Sequence, residues 1–155
     1  MKWYLIVGLT VLVMVSTLLI RFPIPGGGYF NLGDVVIVFT GLYAGKKIGF
    51  LAGGIGSALA DLIGFPVFAP ITFVVKGIEG FLCGLGQGSN KLLSYLMPAL
   101  GVLFMVFGYF LGCLLFPNLG KVVAIADLPV NLVQALVGYV GGRALFIAYE
   151  RVSGI

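Results

Sequence analysis

The sequence predicts an all-α integral membrane protein with six transmembrane helices and both termini in the cytoplasm. Hydrophobic residues fill 61% of the 155 positions and charged residues only 9%, against about 25% charged in soluble domains. The mean hydropathy is +1.19. The apolar content falls into six runs, each near the ~20 residues that a bilayer crossing needs. They cover about 3–21, 31–45, 47–64, 70–88, 92–116 and 124–149. Backbone amides in lipid must bond within their own segment, so helices are expected. The alternating strands of a membrane barrel are absent. One membrane domain over 1–155 follows.

The first run, MKWYLIVGLTVLVMVSTLLIRF, has the outline of a signal peptide. Its apolar core is too long and no small-residue cleavage pattern follows, so it is expected to be the first membrane helix. Runs one, three and five stop at Phe22-Pro23, Phe65-Pro66 and Phe116-Pro117. Proline cannot continue the helical ladder and pushes its predecessor out of helical geometry. The other connections, AGKKIG and GQGSNK, are short, glycine-bearing and basic. If the runs alternate, Phe-Pro loops lie on one side and lysine loops on the other. Lys2, Lys46, Lys47, Lys91, Arg143 and Arg151 then oppose Arg21 and Lys121. The positive-inside rule assigns the richer side, with both termini, to the cytoplasm.

Small residues mark the helix contacts. Gly49, Gly53 and Ser57 in run three, and Gly80 and Gly84 in run four, recur every four residues, a spacing that lets backbones approach closely. A near-repeat, FNLGDVV at 30–36 and PNLGKVV at 117–123, reads as one helix-start turn used twice.

Several chemistries are excluded. The net charge of +4 is scattered, with no basic run to track a phosphate backbone. There is no histidine, hence no histidine catalysis and none of the commonest zinc ligand. Cys83 and Cys113 lack metal-ligand spacing and read as small buried residues. GGIGSALAD at 53–61 follows no strand, and GLGQGSNK at 84–91 lacks the phosphate-loop spacing. No cofactor and no bound metal are expected.

The polar residues gather at one depth. Asn31 and Asp34 open run two, Asp61 lies near the end of run three, and Lys76 and Glu79 lie in the outer half of run four. Asp127, Asn131 and Gln134 share one face of run six. All belong to the outer leaflet, while the inner halves are almost purely apolar or glycine. Each has a plainer reading: Asp34 as a helix cap, Asp61 at the interface, Asn131 and Gln134 as helix glue, Lys76 and Glu79 as an ion pair. Charges at mid-membrane cost about 2.5–3.5 kcal/mol each, so by default they face a cavity or each other. Jointly they predict a polar pocket open to the outside, walled by Phe30, Phe68 and Tyr109. A mainly apolar pocket with few convergent polar groups suits a small organic molecule. A stand-alone channel or exchanger would need polar groups at both leaflets. A membrane enzyme holding a metal on Asp34, Asp61 and Glu79 would match no defined spacing.

The stretch 26–84 carries NLGD at 31–34, GFLAGGIGSALAD at 49–61 and APITFVVKGIEG at 69–80, and DLPVNLVQALVG follows at 127–138. In order and spacing these motifs resemble the S components, the substrate-binding membrane subunits, of energy-coupling-factor vitamin transporters. The riboflavin branch is the most similar. The resemblance implies six helices in a prokaryotic cell membrane and an outward-facing vitamin pocket. It also implies outer gate loops near 22–31 and 64–70, with Pro25, Gly26, Gly27 and Gly28 in the first and Pro66 and Pro70 in the second. Family members hydrolyse no ATP; a membrane scaffold subunit and two cytoplasmic ATPases are the implied partners. Riboflavin is the implied ligand, bound by Phe30, Asn31, Asp34, Asp61, Phe68, Lys76, Glu79, Tyr109, Asn131 and Gln134. A thiamine precursor, pyridoxine or pantothenate would also meet a pocket of mixed sign. Helix 1 lacks the family's alanine-x-x-x-alanine docking patch, which leaves small residues of helices 2, 3 or 6 for that role.

Overall fold

A computed structural model describes residues 3–23, 29–116 and 118–154. In chain order these form α1 (Trp3–Leu19), β1 (Arg21–Pro23), β2 (Tyr29–Asn31), α2 (Gly33–Ala44), α3 (Lys46–Gly64), α4 (Ala69–Gly84), α5 (Lys91–Leu115) and α6 (Gly120–Ser153). Each expected apolar run thus contains one helix. Three of them, α3, α5 and α6, are long and apolar enough to cross a membrane; α1 and α2 are apolar but shorter.

The helix ends follow local chemistry. Gly45, at φ 82°, turns the chain between α2 and α3; only glycine takes that conformation without strain. Pro70 occupies the first turn of α4, where its missing N–H goes unneeded. Asn90 caps α5 by accepting the Leu93 N–H at 2.9 Å. Both copies of the near-repeat start a helix, α2 at Gly33 and α6 at Gly120.

Two features depart from the expected boundaries. The connection after α1 is an antiparallel ribbon pairing Arg21 with Asn31, Phe22 with Phe30 and Pro23 with Tyr29. Facing Phe22 and Phe30 rings, 6.3 Å apart, form a cross-strand pair. And α6 runs 34 residues, beyond the expected 124–149 at both ends. Hydropathy breaks at charges, but the helix ladder continues through Lys121 and Arg151 because long cationic side chains reach away from apolar surroundings.

Contacts fix the helix directions. Asp34 pairs with Lys76, and Gly41 lies against Cys83 and Gly84, so α2 and α4 run parallel. Gly138 lies on Asp34 and Gly142 on Val38, so α6 shares that direction. Gly49 meets Gly80 and Gly53 meets the Lys76 carbonyl, so α3 is antiparallel to α4. A Cβ on Gly49 or Gly80 would collide with the other's backbone, which is why both are glycine. One core, including Val38, Leu42, Val75, Val102 and Met105, fills the space between α2, α4 and α5. Another joins α1, α2 and α3 through Leu9, Val13, Ile37 and Ala52. Large apolar side chains cover the outside, among them Trp3, Leu19, Leu115 and Val122, each more than 70% exposed. Exposed large apolar side chains in such number mark a membrane or partner face.

Candidate functional site

The ribbon, the α3–α4 turn and the start of α6 meet at one end of the bundle. They enclose a cavity of about 340 Å³, counting space open to the outside. Its wall is Tyr29 and Asn31 from the ribbon, Asp61 from α3, Phe68 from the turn, Thr72 from α4, Tyr109 from α5, and Asp127, Asn131 and Gln134 from α6.

Hydrogen bonds order this wall. The Tyr29 hydroxyl donates to Asp61 Oδ1, and Thr72 Oγ1 donates to Asp61 Oδ2 at 2.5 Å. Thr72 and Tyr109 hydroxyls lie 2.9 Å apart. Since a hydroxyl has one proton and Thr72 gives its own to Asp61, the Tyr109 hydroxyl donates to Thr72. Asn31 donates to Gln134 Oε1 from its backbone N–H at 2.8 Å and its side-chain amide at 3.2 Å. Its Oδ1 accepts the Gly33 N–H at 2.8 Å, fixing the entry into α2.

The ribbon is fastened to α3 from above. The Tyr29 ring stacks on Phe65 at 4.7 Å, and the Arg21 guanidinium lies 4.9 Å from the Tyr29 ring centroid. Arg21 also donates to the Ala60 carbonyl at 3.3 Å. Burial, and after it the nearby Asp61 carboxylate, push the Tyr29 phenol above its ordinary range. It therefore stays a neutral donor at any physiological pH.

Below the cavity lies a separate charged layer. Lys76 Nζ is ion-paired with Asp34 Oδ1 and lies 3.2 Å from Glu79 Oε2. All three are buried. The ammonium also sits 5.6 Å from the Tyr109 ring centroid, a cation–π distance that links this layer to the cavity wall.

Of the ten residues expected to bind ligand, Asn31, Asp61, Phe68, Tyr109, Asn131 and Gln134 come together around the cavity. Asp34, Lys76 and Glu79 do not line it; their charges are turned on one another because a buried ammonium needs a carboxylate close by. Phe30 does not line it either, since strand alternation sends its ring to Phe22. Pro66 is exposed on the turn before α4 and Pro70 opens α4. Pro25, Gly26, Gly27 and Gly28 lie outside the described residues. Tyr29 and Thr72 join the wall unannounced, as does Asp127, which the sequence placed at this depth but not in the binding set. The position of Thr72 four residues before Lys76, on the same helix face, was the available signal for it. Among the described residues, no three carboxylates or cysteines gather in a manner suited to a metal ion.

Fold and site together define an apolar helical bundle with a polar-walled cavity at one end. The chain belongs to the family of ECF-type riboflavin transporter S components, whose model matches residues 5–151. That family is one of transporter subunits and not of enzymes. The chain is 37% identical over 147 residues to the thiamine precursor transporter HmpT of Lactococcus lactis, covering 93% of this chain and 84% of that protein. It is also 38% identical over 147 residues to a Pyrococcus woesei protein described as an uncharacterized protein in a gap 3' region, covering 92% of this chain and 98% of that one.

Proposed function

We propose that the chain is the substrate-binding subunit of an energy-coupling-factor importer in a prokaryotic cell membrane, and that its cargo occupies the cavity between ribbon and bundle. The opposed directions of α3 and α4, with α2 and α6 parallel to α4, support alternating crossings, and the positive-inside rule favours cytoplasmic termini. The ribbon and the 64–70 turn are the outer gates, and the energy comes from a scaffold subunit and two ATPases. A channel is disfavoured because, below the Lys76 layer, Val38, Leu42, Val102 and Met105 close the interior.

The cargo that the geometry supports best is a thiamine precursor of the aminopyrimidine type. The carrying observation is a compact wall that presents the Asp61 and Asp127 carboxylates together with Asn131 and Gln134. Carboxylates suit a ligand rich in N–H donors, and Lys76, spent on Asp34 and Glu79, is not offered to an acidic one such as pantothenate. The HmpT likeness points the same way. Riboflavin is the second reading, favoured by the description of the family model and by the Tyr29, Phe68 and Tyr109 rings on which a flavin would stack.

The test is calorimetric titration of the purified chain in detergent with a hydroxymethyl-aminopyrimidine and with riboflavin. Tighter binding of the pyrimidine, weakened at least tenfold by Asp61→Asn and by Asn131→Ala while both variants remain folded, is expected. Tighter riboflavin binding would reverse the cargo assignment, and normal binding by both variants would move the site elsewhere.

A further inference from the structure

At the end of the bundle opposite the cavity, α3 and α4 leave a groove of about 790 Å³ on their outer flank. Phe50 and Leu51 of α3 and Ile78 and Phe81 of α4 form its walls, and Lys47 stands at its mouth. The glycine seam explains the groove: α3 and α4 touch through Gly49 and Gly80, so the large side chains beside the seam flank a depression. The Phe50 ring rests on Gly77 and meets Phe73 edge-on at 5.9 Å, which fixes the groove's shape before anything enters it.

Lys46 and Lys47 are both exposed. Lys46 Nζ lies 6.0 Å from the Phe81 ring centroid, so the two cations bracket the groove mouth. Neither has a carboxylate in ion-pair reach among the described residues. We propose that this groove is a binding site for an anionic phospholipid, with the upper part of an acyl chain between Phe50 and Phe81 and the phosphate at Lys46 and Lys47.

Charge selects that occupant. Two uncompensated ammonium groups attract a headgroup with net negative charge, whereas a zwitterionic headgroup carries its own cation. Basic pockets between helices on the cytoplasmic side are the usual place for acidic headgroups. The inference rests on the reading that α3 and α4 cross a bilayer with this end in the cytoplasm, but not on the identity of the cargo.

The experiment is native mass spectrometry of the full chain released from detergent with phosphatidylglycerol or phosphatidylcholine of identical chains. Wild type should retain one phosphatidylglycerol in preference to phosphatidylcholine. The double variant Lys46→Gln/Lys47→Gln should lose that preference, by about fivefold for each lysine. Leu51→Trp, which fills the slot, should reduce retention of both lipids while cargo binding is unchanged. Equal retention of the two lipids by wild type, or a preference that survives the double variant, would overturn the site. So would a Leu51→Trp chain that keeps its lipid yet fails to assemble with transporter subunits, which would make the occupant a protein. Loss of cargo binding in wild type with the lipid preference intact would strike the cargo assignment alone.

Discussion

At the scale of single residues, Tyr29 shows how a rim residue becomes part of the cavity wall. Its hydroxyl is committed to Asp61, its ring to Phe65 and Arg21. The phenol is held above its ordinary value of 10.0 by burial first and by Asp61 second. A raised folded value means that the neutral form is favoured in the folded state. Its stabilising contribution is therefore complete below the unfolded value and fades as pH rises through and beyond it. Tyr29→Phe should lower stability by about 1.5–3 kcal/mol, the worth of a hydrogen bond to a charged group. That deficit should be flat from about pH 6 to 9 and shrink above about pH 10. Thermal unfolding of both proteins in detergent across this range checks it; a deficit that grows with alkalinity would refute the assignment. Lys76 teaches the complementary lesson. Sequence located it at the correct depth but could not say which way it turns, because the answer depends on Asp34, which lies 42 positions away in sequence.

At the scale of elements, the α3–α4 seam was legible and the ribbon was not. Four-residue spacing of Gly49, Gly53, Gly80 and Gly84 announces close helix contact, since each small residue returns to the same face. The partner backbone is indeed within van der Waals reach of Gly49, Gly53 and Gly80. Gly80→Val should therefore destabilise by about 3 kcal/mol or more, because the added methyls meet rigid backbone. Gly8 in α1 faces open space, with nothing within 4 Å of the point where a Cβ would stand. Gly8→Ala should accordingly be neutral or stabilising by about 0.5–1 kcal/mol through helix propensity. Melting temperatures of the two variants decide between seam and accident. The ribbon escaped notice because each strand has three residues, too few for alternation to register. The true length of α6 escaped because hydropathy stops at charge whereas hydrogen bonding does not.

At the scale of the whole molecule, the carboxylates and amides gather at one end of the bundle axis, whereas the other end buries Arg143, which donates to the Ser94 carbonyl at 2.9 Å and lies over the Tyr95 ring. The gathering was the most legible property, since it needs only helix order and depth. Asp61, Tyr109, Asn131 and Gln134 converge although three different helices supply them, which follows once each is assigned the same depth. What sequence could not supply was the division of that depth into two layers, a cavity wall and a charged floor. The orientation itself is open to direct measurement. After replacement of Cys83 and Cys113 by alanine, a cysteine at Lys121 should react with a membrane-impermeant maleimide on intact cells, and one at Lys47 only after the cells are opened. The reverse pattern would invert the topology and place the cavity in the cytoplasm.

The ion pair between Asp34 and Lys76 joins α2 to α4, with Glu79 on the same ammonium. In a medium of low dielectric constant, separating such charges is prohibitive, so these two helices travel as one rigid block. The vessel therefore has a riveted base. On the function proposed above, cargo exchange falls to the brim, where Tyr29, Arg21 and Phe65 form the clasp.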